Sequence, residues 1–198
     1  MKRCQGTALP MCMLIVAVVA LLGMSGARIA LQDERAGRND RDRKLAFQAA
    51  EAALLDAQLD IEQASDTPRG ALFGSMAPRF PAGCGTAGMG RAGVLLGLCD
   101  GASAGAAWQR TDFTDDTAAH ARTAAYGRFT GQTMQAGAGP LQQRLPRYLI
   151  EAHADRRAGA AADLSGSTRI YRISAMGFGA QDGTRVLLQS WYRRKEAD

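Results

Sequence analysis

Histidine is almost missing from this chain. His120 and His153 are the two in 198 residues, and neither has a Cys or a second His at metal-ligand spacing. That leaves little for zinc or acid–base chemistry. Catalytic signatures are missing too: there is no G-x-S-x-G, no H-E-x-x-H and no phosphate loop in a strand–helix setting. Gly88-Met89-Gly90-Arg91-Ala92-Gly93 matches G-x-G-x-x-G by letter. No strand precedes it, and Val94–Leu98 behind it is too short for the helix that motif needs. Asp112, Asp115 and Asp116 lack the glycine and distal Glu of a calcium loop and read as solvated loop acids. Aromatics make up only 6% of the chain while Gly and Ala abound, so much of the middle reads as loop. The net charge of +5 is mild and dispersed, with no basic stripe interleaved with aromatics, which argues against nucleic acid. These absences point away from an enzyme, a metal and a cofactor.

Cysteine is also scarce. Cys4 and Cys12 lie in the first twelve residues; Cys84 and Cys99 lie far beyond. In an exported domain the second pair is expected to form a disulfide closing a loop of about 16 residues, contributing about 2–4 kcal/mol. The other reading is two buried free thiols.

What the chain has is one long organised opening. Thr7–Ala27 is an uncharged run of 21 residues. As a helix it spans about 30 Å, one bilayer core. The basic Met1–Gly6 before it is expected to stay cytoplasmic, with the rest facing outward. Pro10 falls in the first turn, where its missing N–H costs little. Arg28–Lys44 is dense in both charges and includes the i,i+4 pair Glu34–Arg38, with Gly37 and Asn39 as weak points where a kink or melted segment fits. In Leu45–Gln63, Phe47, Ala50, Leu54, Ala57 and Ile61 recur at spacings of 3, 4, 3 and 4, one helical face expected to pack on a sheet. Leu45, Ala49, Ala52, Leu55 and Leu59 widen that stripe, and Glu51 lies beside it as an exposed carboxylate or a partner for a neighbouring subunit.

The rest divides more coarsely. Ser65–Gly70 reads as the helix stop. Val94–Cys99 reads as a short strand, Trp108 as a core or loop anchor, and Ala124–Pro140 as strand edge and loop. Pro146–Ala152 alternates and reads as a strand, with Glu151 and His153 near the surface. Arg169–Gly177 and Thr184–Tyr192 flank Gln181-Asp182-Gly183 and predict an antiparallel hairpin.

The residues of the opening carry a family resemblance. A short basic leader, Gly6, then TALPM and an apolar run resemble a type IV prepilin. LQDERAGRNDRDRKLAFQAAEAALLDAQ (Leu31–Gln58) resembles the N-terminal domain of PilX-type minor pilins, and Tyr171–Arg194 resembles their closing strands. Met11 stands where major pilins carry a Glu, five residues after the cleaved Gly, and in this the chain resembles certain minor pilins. The resemblance implies an α+β pilin-like fold, the long helix packed on a small antiparallel β-sheet: residues 1–6 a leader cut between Gly6 and Thr7, residues 7–63 a long helix, residues 64–198 a β-rich periplasmic head. Within the helix, 7–27 crosses the inner membrane and 45–63 packs on the head through Phe47, Ala50, Glu51, Leu54 and Ile61, or through them meets other subunits. It implies a non-enzymatic subunit that primes or modulates a type IV pilus. Its partners would be other minor pilins, the major pilin, the inner-membrane assembly platform, prepilin peptidase and membrane lipid. Alternatives remain: a membrane-anchored or secreted periplasmic binding module, cut after Ser25-Gly26-Ala27 or not at all, and a type II secretion pseudopilin.

Overall fold

A computed structural model describes residues 8–63, 67–74, 80–102, 105–117, 119–137, 139–154 and 169–194. Gly6 and Thr7, and part of the Ser65–Gly70 stop, lie outside the described residues. The chain divides into two compact units, Met1–Arg41 and Asp42–Asp198. One helix, α1 (Ala8–Ile61), contributes to both.

In the first unit every described residue is helical and exposed. Gly37 and Asn39 do not interrupt the helix. Its most apolar 18-residue window has a mean hydropathy of 2.4 with no residue buried. Leucines, valines and methionines from Leu9 to Met24 stand bare. A helix apolar on all sides requires lipid or other helices around it.

The second unit is the end of α1, from Asp42, packed on a five-stranded sheet. The strands are β1 (Leu98–Asp100), β2 (Ala124–Ala125), β3 (Arg147–Ala154), β4 (Arg169–Phe178) and β5 (Arg185–Tyr192). The order is β1-β3-β4-β5, with β2 also pairing β3. The expected hairpin is there: β4 and β5 pair antiparallel over eight positions, from Phe178↔Arg185 to Tyr171↔Tyr192. β3 pairs β4 in the same sense from Arg147↔Met176 to Ala154↔Arg169. β1 runs parallel to β3, so the sheet is mixed rather than wholly antiparallel. Two short helices, α2 (Gly70–Gly74) and α3 (Ala107–Arg110), and a 3₁₀ turn at Arg91–Gly93 lie in the connections.

Strand alternation builds a core on each face. On one face Tyr148, Ile150, Ala152, Tyr171, Ile173 and Ala175 pack with Ala53, Ala57 and Ile61 of α1. On the other, Leu149 and Cys99 meet Cys84, Ala107 and Phe113, with Trp108, Met176 and Leu187 at the margin. Cys84 and Cys99 are bonded, with an S–S distance of 2.05 Å. The bond ties the irregular segment before β1 to the sheet, a cross-link worth about 2–4 kcal/mol.

The helix does not sit on the sheet as hydrophobicity alone would turn it. Its buried face is Ala46, Ala49, Ala50, Ala53, Ala57 and Ile61, interspersed with Asp42, Asp56 and Asp60. Phe47, Leu55 and Leu59 point outward, 43, 60 and 50% exposed. The reason is closeness of approach. At Gly177 of β4, a Cβ would lie 1.9 Å from the Ala46 carbonyl oxygen and 2.5 Å from the Ala50 nitrogen. Backbone meets backbone there, and only small residues permit it.

Candidate assembly site on the long helix

The inner face of α1 is held by carboxylates. Asp60, fully buried, accepts from Arg69 Nε at 3.0 Å and Arg69 Nη2 at 2.6 Å. It also accepts from the Tyr148 hydroxyl and from Gln63 Nε2, each at 3.0 Å. Arg69 is itself only 3% exposed. Its Nη1 donates to the carbonyls of Val94 and Leu96, and its guanidinium lies 3.8 Å from the Phe129 ring centre. A bidentate pair with its remaining donors satisfied is the arrangement in which a buried charge is tolerated. Burial and the Asp60 carboxylate hold the Tyr148 hydroxyl well above its usual pKa, so it serves Asp60 as a donor.

Asp56 holds a second point. It accepts from the Gly127 amide at 2.8 Å and from the Thr130 hydroxyl. Burial pushes its carboxyl up, and these two hydrogen bonds pull it partly back. Asp42 makes the third, accepting from the Ala180 amide with Gly179 against it. Three acids about one, four and five turns apart thus fix the helix in register against three separate parts of the head. A slip of one residue would leave each of them buried and unpaired.

The outer face is different in kind. Phe47, Glu51, Leu55 and Leu59 follow one another at i,i+4 and are all exposed. Such a row forms a ridge about 18 Å long, the element that seats in the groove of another helix. Glu51 interrupts it with a carboxylate.

Of the predicted packing residues, Ala50 and Ile61 are buried and Leu54 lies half-buried against the core. Phe47 instead lies on the outer row. Glu151, read as surface, is buried in the sheet. It pairs with Arg172 at 2.7 and 2.9 Å and accepts from the Ala107 amide at 2.8 Å. That carboxylate anchors α3, and with it Trp108, to the sheet. His153 is half-buried beside Trp191, ring centres 5.1 Å apart. Asp112 and Asp115 accept from the amide and hydroxyl of Thr114 and Thr117. These hydrogen bonds lower both carboxyl pKa values and close two turns. They line an open cleft with Thr86, Arg110, Thr111, His120 and Arg122. Among the described residues no three His, Cys, Asp or Glu side chains group as metal ligands. Asp42, Asp56, Asp60 and Arg69 were not anticipated. The signal for the acids was their period: 42, 46, 49, 53, 56 and 60 make one helical face once Asp is admitted to it.

An exposed apolar helix and an outward ridge describe a part made to associate. Two family models match the sequence: the PilX N-terminal region over residues 5–55, and the type IV pilus assembly protein PilX C-terminal region over residues 86–194. The chain belongs to the PilX family of type IV pilus assembly proteins. The N-terminal match covers most of α1, including Phe47, Glu51 and Leu55 of the ridge. The PilX C-terminal match takes in all five strands and Cys99, stopping just short of Cys84. No curated protein and no solved structure matches. PilX membership makes the chain a component of pilus assembly, a structural family that works with other pilus components. Its one long apolar helix fits a single-pass anchor.

Proposed function

We propose that this PilX-family chain is a minor pilin. It is a non-enzymatic subunit that primes or modulates pilus assembly, and with it pilus-dependent motility and adhesion. The N-terminus faces the cytoplasm, residues 7–27 cross the inner membrane, and the head lies in the periplasm before any passage to the cell surface. Prepilin peptidase cuts between Gly6 and Thr7, and the new N-terminus is methylated. Other minor pilins, the major pilin and the assembly platform are the partners.

One observation carries this reading. Apart from Ile61 and the half-buried Leu54, the largest apolar side chains of α1 are on its outside, in Leu9–Met24 and at Phe47, Leu55 and Leu59. The head is packed without them. Lipid answers the first set, and neighbouring helices answer both. Met11 in place of a Glu fits a subunit that does not enter the filament as the major pilin does.

Mass spectrometry of the mature N-terminus, in strains with and without prepilin peptidase, tests the proposal. A methylated start at Thr7 that disappears without the peptidase is expected. A start at Arg28 in both strains would make the chain a conventional secreted module and end the proposal. Deletion is expected to impair twitching and surface pili. Loss of enzyme secretion with normal pili would instead indicate a type II secretion pseudopilin.

A further inference from the structure

β5 ends the sheet on one side, and among the described residues nothing pairs with its outer edge. Among the described residues only β4 pairs with it, and no turn or loop backbone bonds to it. Such an edge offers a row of backbone N–H and C=O groups to another strand. Proteins usually blunt an edge by shortening it, bulging it, or placing proline, lysine or an inward charge on it. β5 uses none of these. Its eight pairs with β4 run in unbroken register. Its sequence, RVLLQSWY, has no proline or lysine. The residues on its helix-side face, Val186, Leu188, Ser190 and Tyr192, carry no charge. On the far side of the sheet two strands of three and two residues run along β3 in opposite senses, which breaks that edge up.

A fixed aromatic stands beside the open edge. Trp191 is 55% exposed on the other face of β5. The His153 ring meets it at 5.1 Å and the Arg172 guanidinium at 5.6 Å. An exposed ring already held in place is an anchor for a side chain on an adjoining strand. Arg185 stands at the start of β5 and Arg193 and Arg194 just past Tyr192. Arg194 donates to the neutral Gln63 carbonyl at 2.8 Å, which leaves its charge in place, and the nearby acids are Asp182 beside Arg185 and Glu62 beside Tyr192. The arginines decide against a second copy. Two β5 edges paired about a twofold axis run antiparallel and bring Arg185 of one copy towards Arg193 and Arg194 of the other, and facing like charges destabilise a strand pair.

We infer that the β5 edge takes up an extended strand from a different protein, with apolar residues alternating along it and acidic residues at its ends. Backbone pairing supplies the attraction, and Trp191 and the two basic ends select the strand. The inference goes beyond the minor-pilin reading and stands without it.

Hydrogen exchange of the full chain in detergent micelles, read over residues 185–192, tests it. The probe is a short synthetic peptide of alternating Val and Thr with Glu at both ends. Its N-methylated form and a form with Lys for Glu are the controls. At about 1 mM the acidic peptide is expected to slow β5 exchange about tenfold, and neither control to do so. R185E should move the preference towards the Lys peptide, and W191A should weaken the acidic one. Four results would overturn the inference. They are β5 amides as slow as those of β4 with no peptide present, protection that rises with protein concentration alone, equal effects of acidic and basic peptides, and no effect of either.

Discussion

Gly177→Ala is the sharpest test of how the helix is seated. The added methyl would lie 1.9 Å from the Ala46 carbonyl oxygen and 2.5 Å from the Ala50 nitrogen. A relaxed carbon–oxygen contact is about 3.3 Å, so the two backbones must separate by about 1.4 Å. No rotamer change relieves this, because both obstacles are main chain. A gap of about 0.5–1 Å already forfeits a quarter to a half of the contact energy across it. Ala46, Ala49, Ala50, Ala53 and Ala57 are all buried in this interface and share the loss. Overpacking alone costs about 1–3 kcal/mol. With the interface loosened as well, about 3–4 kcal/mol is expected. Both tryptophans, Trp108 and Trp191, belong to the unit that contains Gly177. Denaturant unfolding of the full chain in detergent, followed by their fluorescence, therefore reports on the head. Gly183→Ala is the control, since nothing lies within 4 Å of its Cβ position, and it should stay within about 0.5 kcal/mol of the parent. If Gly177→Ala also stayed within that margin, the close-approach account of the helix would be wrong.

Two further perturbations address the buried acids. Arg69→Met removes the cation from Asp60 and should cost about 3–5 kcal/mol. Adding Asp60→Asn should restore part of that, so a double-mutant cycle by the same assay should give a coupling above about 1 kcal/mol, and simple additivity would count against the pair. Asp56 has a folded pKa raised above its ordinary 3.8, chiefly by burial. Between those two values the folded state holds more protons than the unfolded one, so the stability linked to Asp56 is present at low pH and lost as pH rises through the folded value. Relative to the parent, Asp56→Asn should therefore gain in stability between about pH 4 and pH 7, and a pH-independent difference would contradict the assignment.

The elements of the fold were legible in the sequence where local pattern decides. The uncharged run and the 3.6-residue period that follows gave α1; the alternation on each side of Gln181-Asp182-Gly183 gave the β4–β5 hairpin. The rotation of the helix was not legible. A count of apolar residues turns Phe47, Leu55 and Leu59 inward, but at Gly177 the interface rewards smallness over hydrophobicity. The acids were hidden for a related reason. Asp60 meets Tyr148, 88 positions on, and Asp42 meets Ala180, 138 positions on. Glu151 was misplaced likewise, since Arg172 and Ala107 reach it only in the folded sheet. A charged residue on an apolar face reads as an error in the pattern until its partner is known.

The misreading of α1 bears on function as well as fold. Had Phe47, Leu55 and Leu59 faced the sheet, the second half of α1 would be complete within its own head and would ask nothing of a neighbour. Instead the helix is secured to the sheet mainly by alanine, glycine and paired charge, with Ile61 closing its end. These interactions depend on fit and give little reward to a loosely placed partner. The residues with the most to gain from any apolar contact are left outside. This division lets one helix hold its own domain and still leave an apolar row exposed. It also separates the two failures that substitution can cause. Changes at Gly177, Asp60 or Arg69 are expected to act on the head, whereas under the proposed minor-pilin function changes along Phe47–Leu59 on the outer row are expected to act on association. A protein built only to fold would not need that separation; an assembly subunit does, because it must be stable before its partners arrive and still have surface to offer them.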